Sequence, residues 1–331
     1  MAYTTIDDPS AYFQTAIYTG NGSTIDIVND GNSDLQPDWL WFKCRSVNTD
    51  HGIQDSVRGA SLALQSNTTG ADADVGTSQI TAFGSDGFSL ASGGDVNTNN
   101  RTYVCWQWKK SATPGFDIVA FTGNATARTI SHSLSAVPKM YMVKNRSANS
   151  TQWRVYHASL GATKHMALDA TQAVGDAASV FNDTEPTSSV FSVGTDTGAN
   201  GNGNSLICYL FAEKKGYSKF GSYVGNGNAN GPFVYTGFKP AFIIRKRSDG
   251  AVDWRMDDNK RRSYNAIDFT LFPNKNNAET QSAGYAVDLL SNGFKVRGDS
   301  GNQNTNGGTY IYMAFAEQPF VTSTGVPATA R

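Results

Sequence analysis

Apolar residues in this chain fall in short runs with a two-residue period, and a helical stripe of ten residues or more is found nowhere. Trp39, Trp41 and Lys43 alternate with Leu40 and Phe42; Met140, Met142 and Lys144 with Tyr141 and Val143; Phe242, Ile244 and Lys246 with Ile243 and Arg245. Both faces of these runs are largely apolar. This predicts strands buried on both sides, with the lysine emerging into solvent at the strand end. Further runs at Tyr103–Trp108, Leu206–Phe211 and Tyr310–Phe315 each put large apolar residues on one face, ending at Trp108, Phe211 and Phe315. Between the runs lie stretches rich in Gly, Asn and Ser, the residues that turns require.

The same landmarks recur three times. Aromatic-x-Gly-Asn stands at Tyr18–Asn21, Phe121–Asn124 and Tyr223–Asn226. A proline followed six residues later by lysine stands at Pro37/Lys43, Pro138/Lys144 and Pro240/Lys246, with an arginine close behind at Arg45, Arg146 and Arg247. Trp-Arg occurs at Trp153 and Trp254, and Phe-x-aliphatic at Phe88, Phe191 and Phe294. Constant order at a period near 100 residues divides the chain into an N-terminal arm (1–11), repeats at 12–112, 113–216 and 217–320, and a C-terminal tail (321–331). The expected fold is all-β: three tandem, pseudo-equivalent β-sandwich domains of concanavalin or jelly-roll type, each long enough to bury its own core. Neither terminal segment is expected to take part in repeat packing.

Composition narrows the function. Charged residues are 17% and aromatics 11% of the 331 residues, with 33 glycines, which excludes a disordered tail protein and a coiled coil. Net charge is −1 overall. It runs from −4 in the first repeat (six basic, ten acidic) to +1 in the second (eight, seven) and +3 in the third (twelve, nine). That bias is too small for a nucleic-acid partner. The opening residues lack a secretory signal and no run is long enough to span a membrane, so synthesis in a cytoplasm without membrane insertion is expected. Cys44, Cys105 and Cys208 are widely spaced and form no CxxC pair; free buried thiols are expected.

No motif carries catalysis. There is no Gly-x-Ser-x-Gly elbow and no HExxH, and Asp72/Asp74, an acidic pair at alternate positions, belongs to a single copy. A non-enzymatic protein without metal or cofactor is expected. The loops Gly93–Asn100, Gly194–Asn204 and Gly298–Gly308 combine Asp with several Asn, but the spacing drifts between copies, against a calcium site. Asn97, Asn99, Asn200, Asn202, Asn302 and Asn304 are the candidate residues for a glycan or partner protein, since their amides match sugar hydroxyls. Trp153 and Trp254 are weaker candidates, as rings on which a sugar could stack. Arg245 and Arg247 are weaker candidates for an acidic group.

Several segments resemble virion proteins of marine tailed bacteriophages: Trp153–Gly161 (WRVYHASLG), Pro186–Thr195 (PTSSVFSVGT), Gly216–Gly227 (GYSKFGSYVGNG), Gly231–Pro240 (GPFVYTGFKP), Leu290–Arg297 (LSNGFKVR) and Tyr310–Phe320 (YIYMAFAEQPF). The opening Met1–Pro9 is similar to the start of many such proteins. The resemblance is strong over the second and third repeats and weak over the first. It implies a lectin-like sandwich in a structural protein of the virion surface, in the tail fibre or receptor-binding apparatus, with other virion proteins as partners, a homo-oligomer in the particle and a host-surface glycan as ligand. The alternative is a capsid decoration or head-fibre protein; a glycan depolymerase is less favoured. The chain lacks a heptad or collagen-like shaft, which favours a compact protein seated directly on the particle.

Overall fold

The computed structural model describes residues 4–318. Antiparallel strands dominate, and no helix among the described residues exceeds four residues. The all-β expectation is met. Each copy contains a large sheet opened by the same strand order. In the first it runs Phe13–Thr19, Thr102–Trp108, Trp39–Cys44, Gly52–Asp55 and outward to Ala73–Asp74. The second follows with Phe116–Thr122, Ser205–Ala212, Pro138–Asn145, Arg154–His157 and outward to Gly175–Asp176. The third has Ser218–Val224, Thr309–Phe315, Phe242–Arg247 and Arg255–Asp258, and extends through the bridge between Met256 and Leu271. A small sheet covers one face of each large one. It is built on Phe88–Leu90, Val190–Val193 or Gly293–Val296.

Large and small sheets enclose one apolar cluster per copy, around Phe88, Phe191 and Phe294. The other face of all three large sheets meets in a single shared core. This explains why the central strands are apolar on both faces: beside the expected core of each repeat, the three build a second core together. Trp108, Phe211 and Phe315 occupy equivalent register positions, opposite Phe13, Phe116 and Ser218. Their rings touch one another, with centroids 6.5 Å apart for Trp108–Phe211, 5.7 Å for Trp108–Phe315 and 5.9 Å for Phe211–Phe315. The arm is also corrected: Ile6 is buried in this same core, and Asp8 caps the turn that follows it. The tail 321–331 lies outside the described residues.

The three seams between copies repeat one another in a closed ring. A ring N–H just before the fourth strand of each large sheet donates to a backbone carbonyl of the neighbouring copy. Trp153 reaches Gln65 O at 3.0 Å, Trp254 reaches Ala167 O at 2.8 Å, and His51 reaches Phe272 O at 3.0 Å. His51 Nδ1 accepts from Trp41, which leaves Nε2 as the donor. A second contact runs from the last strand. Tyr209 donates to Asp55 at 2.7 Å, Trp106 to Asp258 at 3.0 Å, and Tyr312 O accepts from His157 Nε2 at 3.1 Å. Main-chain bonds add a third: Asp72 N to Arg146 O, Val174 N to Ser248 O and Glu279 N to Arg45 O.

Two sequence expectations fail at these seams. Lys43, Lys144 and Lys246 do not emerge into solvent; each is 0–1% exposed. Lys43 donates to Asn276 O and Lys246 to Thr171 O, each across a seam, while Lys144 donates to Thr151 O. Burial draws all three ammonium groups down to about 8. The third-copy equivalent of Arg45 and Arg146 is Ser248, not Arg247: the backbone N–H of these three residues donates to Thr102 O, Ser205 O and Thr309 O respectively.

The shared core makes Trp108 a test of the architecture. Phe fills the equivalent position in the other copies, and Trp108 Nε1 is buried with no hydrogen-bond partner among the described residues. Trp108→Phe is expected to cost less than about 1.5 kcal/mol, and Trp108→Ala about 3–5 kcal/mol. Urea unfolding of the full chain checks both, with a single transition expected for all three copies.

The seam histidines set an acid limit. Burial pushes the His157 imidazole down to about 4 and holds His51 well below its ordinary value. The unfolded chain takes up these protons near 6.5, so stability is full above pH 6.5 and falls as pH drops toward 4. His157 alone accounts for a loss of about 3 kcal/mol across that window. Melting temperature against pH is expected to show this limb, shallower in His157→Gln.

Candidate functional site

The Asp/Asn loops close into one helical turn in each copy, at Gly94–Asn97, Thr197–Asn200 and Gly301–Asn304. The last residue of each turn is a fully buried asparagine. Asn97 Nδ2 donates to Ala91 O and Ser23 O, and its Oδ1 accepts from Asn21 N. Asn200 does the same with Gly194 O, Thr126 O and Asn124 N, and Asn304 with Gly298 O, Asn228 O and Asn226 N. This accounts for the aromatic-x-Gly-Asn landmark. The Asn presents its N–H to the loop amide, and the Gly lets the loop carbonyl approach: a Cβ on Gly20, Gly123 or Gly225 would lie 2.1–2.4 Å from a backbone oxygen.

Asn97, Asn200 and Asn304 are therefore pins that tie the loop to the sheet, and their amides are closed to a ligand. Asn99 and Asn202 are exposed and Asn302 is half-buried. Trp153 and Trp254 are buried at the seams, so no sugar can stack on them. Arg245 is fully buried, paired with Asp257 and donating to Gln303 Oε1 at 2.9 Å. Arg247 lies nearer the surface, but Asp249 pairs with it at 2.7 Å. Cys44, Cys105 and Cys208 are buried and unpaired.

A different surface carries aromatic groups into solvent. Phe233 is 45% exposed and Tyr235 60%, on the edge strand Phe233–Tyr235 of the third small sheet. Phe233 stands opposite Lys295 and Tyr235 opposite Gly293. The Phe233 ring leans across Gly293, within 3.0 Å of where a Cβ would stand, so the glycine makes room for it. Asp288 and Lys295 are partners on the next strand pair, and Arg297 reaches Asp288 at 3.6 Å. Tyr264, 66% exposed, stands beyond the other edge of this sheet, on the loop whose Asn265 binds the Leu289 backbone.

The other copies place Asp26 and Thr129 where Phe233 stands, and Val28 and Ser131 where Tyr235 stands, judged from the pairing of Ile27 with Phe88 and Ile130 with Phe191. Features that the copies share do not reveal this difference. The available signal was the reverse: an aromatic pair in the most basic copy alone.

Fold and surface together describe an all-β protein of three interlocked antiparallel lobes with one aromatic, cationic lobe face. The chain belongs to the family of the domain of unknown function DUF7483, whose model matches residues 8–319, a match that runs through all three copies and the shared core. A comparison with curated proteins gives no match.

The pins and the exposed asparagines separate by mutation. Asn200→Ala strands several buried groups and is expected to cost on the order of 3 kcal/mol. Asn202→Ala is expected to change stability by less than about 0.5 kcal/mol. Thermal unfolding of the two variants side by side is the check.

Proposed function

We propose that this chain is a non-catalytic structural protein of a bacteriophage particle surface, in the receptor-binding or tail-fibre apparatus, that recognises a host-surface glycan weakly and in many copies. The observation that carries the reading is the exposed Phe233/Tyr235 face with Lys295 beside it. Aromatic rings offered to solvent at the edge of a sheet suit the C–H faces of sugars, and they are costly to display without a use. Trp41, Trp106, Trp153, Tyr209 and Trp254 of the shared core engage their polar atoms at the seams, which suits a rigid scaffold with binding at its periphery. Each site would hold its ligand at roughly millimolar affinity, and repetition on one particle would supply the avidity. The resemblance of Gly231–Pro240 and Leu290–Arg297 to phage virion proteins supports the same reading, since these segments build that face.

The second reading, a capsid decoration or head-fibre protein, is favoured by the closed ring of three similar lobes, which would seat on a local threefold position of a shell. Purified particles from the source lysate separate the two. The chain is expected to band with them in a density gradient, and gold-labelled antibody to it is expected at the tail. Label over the head selects decoration. Absence of the chain from gradient-purified particles overturns both.

A further inference from the structure

We propose that the third copy holds a site for a carboxylated sugar, in a pocket of about 170 Å³ beside its small sheet. This rests on the glycan-recognition reading above and names the ligand class. The pocket is the product of an insertion. Five residues separate Arg58 from Leu64 and Leu160 from Met166, but nine separate Arg261 from Leu271, and these three later residues hold the same register place opposite Ile53, Val155 and Met256. The added length carries Arg262–Asn265 outward to form a wall that the other copies lack.

The floor is apolar, from Ile267 and Leu289, both nearly fully buried. Tyr264 forms one wall. Its ring stacks on the Arg262 guanidinium, 4.7 Å from the centroid, and Arg262 is itself fixed by an ion pair with Asp268. Asn265 donates to Leu289 O and accepts from Leu289 N, both at 2.9 Å, so the loop is braced against the sheet and the site is preformed. Opposite stands Lys239, exposed and with no ion pair among the described residues. Its loop is tied down where Thr236 N and Gly237 N both donate to Asn292 O. Two buried atoms in the lining residues have no hydrogen-bond partner among the described residues: Arg262 Nε, a donor, and Asn259 Oδ1, an acceptor.

These groups select the ligand. The Lys239 ammonium, which has no ion pair among the described residues, calls for an anion. A bare inorganic anion would leave the Tyr264 ring and the apolar floor unused, whereas a pyranose presents C–H surface to both. A neutral sugar would make no charge-assisted bond to Lys239, in the copy that carries net +3. A uronic acid or another carboxylated pyranose supplies both the charge for Lys239 and the C–H face for Tyr264.

The test uses the purified full chain with di- and trigalacturonate, neutral galactose oligomers of the same length, and sodium phosphate, read by saturation-transfer NMR and titration. The acidic oligomers are expected to bind at roughly millimolar Kd, more weakly as salt rises. Lys239→Ala and Tyr264→Ala, both at exposed positions, are expected to weaken binding at least about tenfold with unchanged melting temperature. Failure of the acidic oligomers to bind, equal binding of neutral ones, full displacement by phosphate, or indifference to both substitutions overturns the assignment. Binding by a chain that is absent from particles would instead overturn the virion reading alone.

Discussion

Three rings in mutual contact, Trp108, Phe211 and Phe315, hold the structure to its shape. Each stands at or next to the end of the last strand of its copy, which pairs on both sides within its large sheet. Their convergence requires all three large sheets to turn one face toward a single axis. An isolated copy would expose that face, including Trp39, Trp41 and Trp106 in the first copy alone, an apolar patch far beyond what a soluble monomer tolerates. The copies are thus interlocked parts of one body. The seams behave like the heterologous interfaces of a cyclic trimer, in which each subunit offers one surface to one neighbour and a different surface to the other. Here the ring closes within one chain.

Because the ring is covalent, each seam is free to diverge, and it has done so in matched pairs. Asp55 and Asp258 each bind the arginine three residues on, Arg58 and Arg261, and both carboxylates also accept the seam bond. In the second copy the acid is His157 and the arginine is Leu160, so the charge and its partner leave together. Arg45–Glu279 and Arg146–Asp72 are ion pairs at two seams; the third has Ser248 and Val174. Across the outer strand pair, Ala16 faces Cys105, Val119 faces Cys208, and Gly221 faces Tyr312, the smallest residue opposite the largest. A Cβ on Gly221 would lie 2.8 Å from the Tyr312 hydroxyl. Removing one partner of a buried pair is costly, whereas replacing both can be nearly neutral.

Strand period, landmark order and the two-faced burial of Trp39–Cys44 were legible in the sequence because they depend on local alternation alone. The shared core was not. An apolar face at Val104/Trp106/Trp108 states that something covers it, but a sandwich partner and a neighbouring copy leave the same pattern. The buried lysines misled for a related reason: a charge at a strand end reads as solvated unless the carbonyls that receive it are known, and for Lys43 and Lys246 one of these lies in another copy. Asn97, Asn200 and Asn304 stand among the six asparagines proposed as ligand amides, yet their shared burial marks a structural pin. A residue that ties every loop to every sheet must recur, whereas a recognition residue has to be present only where the ligand binds.

That distinction locates function in this architecture. Whatever closes the ring is required three times and is held by the symmetry of the core; whatever meets a ligand is free to appear once. The third copy departs from the others in three linked ways: Phe233 and Tyr235 face solvent, the loop after Arg261 is four residues longer, and the net charge is the most positive. None of these changes touches the ring triad or the seam bonds. The edge strand Phe233–Tyr235 and the Leu289 edge lie on either side of Gly293–Val296, two strand spacings or roughly 10 Å apart. The aromatic face and the cationic pocket thus flank one small sheet, at a separation that successive units of a single extended oligosaccharide can bridge.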